Sequence, residues 1–140
     1  MRSHRVLYYH LKVMFMKRHS FKFLDDSLNR ELIDSLKGAG LDHSIDDDGV
    51  IHYSEVDRGI VEDELICAIR QKVFAAWQIV TCPSDWTTRY LDYMRLHEIP
   101  LKEELSDGEL WFLIPRKYRP HSWKLDASSK PRRLAENRAS

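Results

Sequence analysis

Several hallmarks of catalytic and metal-binding chains are missing from these 140 residues. There are only two cysteines, Cys67 and Cys82, both in apolar surroundings (Leu-Ile-Cys-Ala-Ile and Ile-Val-Thr-Cys), which points to inert thiols in a reducing compartment and no disulfide. The five glycines fall at helix ends, turns or a helix start, so no glycine-rich loop cradles a phosphate and no Gly-x-Ser-x-Gly elbow presents a nucleophile. Seven histidines are scattered without the i, i+4 or Cys-x-x-Cys company of a zinc site. The longest apolar-leaning run near the start, Val6 to Met16, is broken by His10 and Lys12 and is far too short to span a bilayer. A soluble, cytoplasmic protein that is not an enzyme and uses no cofactor is the expectation.

Net charge is also absent, but its distribution is uneven. Residues 1–24 hold six Lys or Arg and no acid; residues 116–140 hold eight bases against Asp126 and Glu136; the intervening body is strongly acidic. An acidic body between basic ends can offer each to a different partner.

An approximate internal echo is present. Leu28, Leu32, Ile33 and Leu36 recur 58 positions on as Trp86, Tyr90, Leu91 and Met94, and Asp48-Gly49 recurs as Asp107-Gly108, one residue further out. Each copy, at about 20–54 and 78–114, reads strand, helix, hairpin. The helical stripes put their apolar residues on one side, and Asp-Gly is a strong hairpin signal because both residues tolerate positive φ. Between the copies a helix is predicted from Glu55 to about Phe74, with Ile60, Val61, Leu65, Ile66, Ile69 and Val73 facing inward. Its acidic start and basic end complement the helix dipole.

The predicted fold is α+β: two βαββ-like units joined by a helix, with a largely antiparallel sheet and helices on one face. The order β-α-β-β-α-β over the first unit, linking helix and next strand is similar to the ferredoxin-like layout, a resemblance of topology alone. Residues 16–124 form the expected single domain. Met16-Lys17-Arg18-His19 reads as a natural translation start, which makes 1–15 an upstream extension; the alternative is an edge strand built on Val6, Tyr8 and Tyr9. Residues 125–140 lack periodicity and read as a disordered tail.

Three surfaces carry functional expectations. The first is acidic: Asp46, Asp47, Asp48, Glu55, Asp57, Glu62 and Asp63, with Trp111 as an aromatic anchor, suited to a protein partner with a basic surface. Small acidic inhibitors and toxin-neutralising proteins use this strategy, and a homodimer through a sheet edge is a further option. The second is the basic aromatic stretch Arg116, Lys117, Tyr118, Arg119, Trp123 and Lys124, whose cations and rings suit phosphates and unpaired bases. The third is Ser44 to Glu55, which resembles the twelve-residue calcium loop of EF-hands. Gly49 is sixth, Ile51 eighth and Glu55 last, and Asp46, Asp48 and Glu55 are the implied ligands. It departs from that pattern at Ser44, where an aspartate is usual.

Overall fold

A computed structural model describes residues 17–118 and 131–137. Residues 1–16, 119–130 and 138–140, and with them the alternatives for 1–15, lie outside the described residues.

The chain opens with β1 (Arg18–Phe23), whose alternation buries His19, Phe21 and Phe23. Helix α1 (Asp26–Gly38) follows, capped by the Asp25 carboxylate, which accepts hydrogen bonds from the Ser27 and Leu28 amides. Strands β2 (Ser44–Ile45) and β3 (Ile51–Ser54) make the first hairpin. The link to β4 (Trp77–Thr81) comprises a 3-10 turn (Glu55–Asp57), a π-helix (Ile60–Ile66) and α2 (Cys67–Val73). A 3-10 turn (Ser84–Trp86) leads into α3 (Thr87–Leu96), and β5 (Lys102–Ser106) and β6 (Glu109–Pro115) form the second hairpin.

Strand β7 (Arg132–Glu136) lies within the stretch that composition assigns to a disordered tail. All five of its residues are exposed, so it has no buried face to imprint a periodic pattern. Its order comes instead from backbone pairing along β4.

Among the described residues these strands form one antiparallel sheet in the order β2-β3-β1-β5-β6-β4-β7. In both strand–helix–hairpin segments the second hairpin strand lies next to the segment's first strand, as β2-β3-β1 and β5-β6-β4. The ferredoxin-like layout would put β4 beside β1, a place that β5 holds here.

The helices do not share one face. Phe21 pairs with Ile51 and Ser106, and alternation carries that face through Glu104 and Trp111 to Leu113 and Ile79. On it Phe21, Phe23 and Ile51 pack with Leu32 and Leu36 of α1 and with Val61, Ile66 and Ile69 of the linking helices. Val80, Phe112 and Ile114 point to the opposite face, where Tyr90 and Met94 of α3 cover them. The physical reason is strand direction. Three antiparallel steps separate β4 from β1, so the second segment runs reversed while keeping its lateral order. Preserving the handedness of the strand–helix connection then moves the helix to the other side of the sheet.

The two hairpin turns also differ. Asp107 (φ 48°) and Gly108 (φ 80°) are both left-handed and form a two-residue turn between the paired Ser106 and Glu109. Asp47, Asp48 and Gly49 form a three-residue loop closed by Gly49 N–H to Asp46 O at 3.0 Å, with only Gly49 (φ 82°) left-handed.

Candidate functional site

Among the described residues, a cleft of about 430 Å³ opens where the π-helix and α2 cross the sheet. Its floor includes Phe21, Ser106, Trp111 and Trp77 from four strands, and the outer wall comes from β7 and Asn137. Long π-helical runs are rare and often mark functional sites. This one explains a difference from the expected inward stripe. Val61 and Ile66, five residues apart, are buried, whereas Ile60 is 42% exposed. The wider π turn rotates Ile60 outward.

Arg70 lines the cleft and is paired with the wholly buried Glu104. The guanidinium makes a bidentate contact, Nε to Oε2 at 3.0 Å and Nη2 to Oε1 at 2.7 Å, and both side chains are buried. Burial pushes the Glu104 carboxyl above its ordinary range, while Arg70 pulls it back. Arg70 also lies 5.0 Å from the Trp77 ring centroid and 5.9 Å from that of Phe21. Its Nη1 reaches only the Cys67 sulfur, at 3.8 Å. The Cys67 thiol is pushed up by burial, which makes it a poor nucleophile. The Trp111 Nε1–H is buried without a hydrogen-bond partner.

Beside the cleft lies a chain of charged contacts around His19. This imidazole is 2% exposed and stacks on Tyr53. Its Nε2 contacts Glu55, and its Nδ1 lies 3.3 Å from Asp107 Oδ2. The Glu55 hydrogen bond raises the His19 pKa above 6.5; burial opposes the rise and Asp107 reinforces it. Contact with His19 lowers Glu55 in turn, against a smaller burial effect. Burial would raise Asp107, but the Ser20 amide and His19 together hold it below its ordinary value. Arg58 bridges Glu55 and Glu62 at 3.6 and 3.4 Å, and the Tyr53 hydroxyl donates to Glu62 at 2.7 Å. Both imidazole nitrogens are engaged, so the arrangement fastens the linking helix to β1 and the second hairpin.

The sequence-predicted residues separate into groups. Glu55, Asp57, Glu62 and Asp63 share the flank made by the 3-10 turn and the π-helix, and Glu62, Asp63 and Trp111 line the cleft. Asp46, Asp47 and Asp48 sit at the other end of β3, in the first hairpin turn. There Asp46 Oδ1 accepts the Asp48 and Val50 amides and Oδ2 meets His52 Nε2 at 3.0 Å. Contact with His52, then the Val50 amide, lowers the Asp46 pKa, with burial a smaller opposing effect. Two of the three implied calcium ligands are thus engaged elsewhere, Asp46 within its own turn and Glu55 on His19. Among the described residues no three His, Cys, Asp or Glu side chains gather as a metal site.

In the basic stretch, Arg116 binds the Asn137 carbonyl, Lys117 lies over the Tyr118 ring, and Tyr118 packs on the α3 core. Arg119, Trp123 and Lys124 fall outside the described residues. No helix among the described residues is long and apolar enough to cross a membrane.

Sequence reasoning missed Arg70, Glu104, Trp77 and His19 as site residues. Arg70 left a signal: it stands four residues after Ile66 and beside Ile69 on an apolar stripe, a position where a charged side chain needs a buried partner. Glu104 left none, because its strand reads as polar on that face. Comparison of the chain with protein-family models, with curated proteins and with solved structures gives no match.

Proposed function

We propose that this protein works by binding a partner protein with a basic surface, along the flank that runs from Glu55 to Glu64. The observation that carries this reading is an exposed apolar pair inside an acidic segment. Val56 (49% exposed) and Ile60 (42%) stand one helical turn apart, among Glu55, Asp57, Glu62, Asp63 and Glu64. Arg58 is the segment's single basic residue, and it is already bound to Glu55 and Glu62. An apolar centre with a charged rim is the anatomy of a recognition surface, and complementary charge speeds encounter and selects the partner. The three aspartates of the first hairpin turn add to the overall field but lie apart from this flank.

The test uses the whole chain as bait at rising salt concentrations. Wild-type protein is expected to retain a basic protein in a salt-sensitive complex. Two variants, Val56→Asp/Ile60→Asp and Asp63→Lys/Glu64→Lys, are expected to lose it while melting at close to the wild-type temperature. Retention of the same partner by both variants overturns the reading.

A further inference from the structure

We infer that residues 1–16 of this chain dock on its own acidic flank, so that a basic partner must displace them. The inference rests on the reading of the flank as a recognition surface and names what occupies it first. Three observations select this occupant. The first is where the segment joins the described residues. The carbonyl of Lys17, its next residue, accepts the Glu55 amide at 3.0 Å, so the segment departs from the start of the flank. The second is reach. An extended chain covers up to about 3.4 Å per residue, so the five steps from Lys17 to Lys12 reach about 17 Å. The nine steps from Glu55 to Glu64, at about 1.5 Å each, cover about 14 Å. Lys12 can therefore arrive at the far end of the flank. The third is composition. Residues 1–16 hold Arg2, Arg5 and Lys12 and no acid, whereas the flank is acidic and its one base, Arg58, is already bound to Glu55 and Glu62. Next to Lys17 stand four apolar residues, Val13 to Met16, and next to Glu55 stand the exposed Val56 and Ile60. Covering that pair removes apolar surface from water, and Lys12 then faces Asp63 and Glu64, both exposed. A free basic protein matches the charge equally well, but only the tethered segment is held at a high effective concentration beside the flank.

The experiment treats the full chain with a carbodiimide, which activates a carboxylate so that a lysine amine in contact with it displaces the urea and forms an amide. An equal mixture of ¹⁵N-labelled and unlabelled chain separates links within one chain from links between chains. Peptide mapping is expected to find Lys12 joined to Asp63 or Glu64 of the same chain at least about fivefold more often than to Asp47 or Asp92. Those two aspartates are just as exposed, but they stand on the first hairpin turn and on α3. Val56→Asp/Ile60→Asp is expected to lower the Lys12 link to Asp63 and Glu64 at least about fivefold. A labelled peptide of residues 1–16 supplies a second measurement. It is expected to bind the full chain carrying Arg2→Glu/Arg5→Glu/Lys12→Glu at least about fivefold more tightly than wild-type chain, whose own segment competes for the flank.

Lys12 links spread evenly over Asp47, Asp63 and Asp92 overturn the proposal. So do links found only between chains, which make a second copy the occupant, and equal binding of the peptide by the two chains. If Val56→Asp/Ile60→Asp does not fold, the wild-type link pattern and the peptide comparison still decide. The two readings fail separately. A basic partner retained in the bait experiment, with Lys12 links scattered, keeps the flank as a partner surface and removes the docked segment. The expected links, with no basic protein retained by either wild-type or the Arg2→Glu/Arg5→Glu/Lys12→Glu chain, do the reverse.

Discussion

Arg70 and Glu104 satisfy one another in a place where either charge alone would be uncompensated. Truncating one partner leaves an uncompensated buried group, whereas replacing both with apolar residues removes the desolvation cost as well as the attraction. Arg70→Met is therefore expected to lower stability by about 3–5 kcal/mol in urea unfolding, and Arg70→Met/Glu104→Leu to recover most of that loss. Asn29 is another side chain tied into the frame. Its Oδ1 accepts the Phe23 amide at 3.0 Å and its Nδ2 donates to the Gly49 carbonyl at 2.9 Å, so one buried amide joins β1, α1 and the first hairpin turn. Leu32, wholly buried between α1 and the sheet, is a plain packing residue. Leu32→Ala is expected to cost about 2–5 kcal/mol by the same measurement, through lost burial and the cavity left behind.

Strand β7 is anchored at its end residue in addition to its backbone pairing. Asn137 Oδ1 accepts the Trp77 amide at 2.9 Å, its Nδ2 donates to the Ala75 carbonyl at 2.7 Å, and its backbone carbonyl accepts from Arg116. The side chain thus extends the β4 ladder past the last paired residue. Asn137→Ala is expected to speed amide exchange at Trp77 by about fivefold to tenfold relative to the core of the sheet, the equivalent of about 1 kcal/mol for a lost hydrogen bond. Unchanged exchange there would show that β7 is held by its backbone pairing alone. The strand also closes one side of the cleft.

Across the molecule, the His19 cluster links pH to folding. The folded-state pKa of His19 is raised, so its contribution is complete below about 6.5 and is lost as pH rises through the higher folded value. Glu55 and Asp107 are lowered, so their contributions hold above the ordinary carboxylate range and are lost as pH falls through their folded values. Together these limits place the cluster's stabilisation in a mildly acidic window. Melting temperature followed against pH is expected to fall by a few degrees on the alkaline side of that window, and His19→Gln is expected to flatten that limb. An alkaline limb unchanged in His19→Gln would assign the pH dependence to other groups.

Much of this architecture could be read from local pattern. The α1 stripe of Leu32 and Leu36, the α3 stripe of Tyr90 and Met94, the alternation of β1 and both Asp-Gly hairpins follow from spacing and turn chemistry, which depend only on near neighbours along the chain. Three things could not be read in that way. Which face α3 covers depends on strand direction across the whole sheet. β7 has no buried side to mark it. The fold brings Arg70 against Glu104, 34 positions away, and no local rule couples residues so far apart. The amino-acid order therefore determined the elements and their apolar faces, because those arise from interactions within a few residues. The tertiary structure alone decided which polar groups would be buried together, because that choice belongs to the register of strands that meet only once the chain has folded.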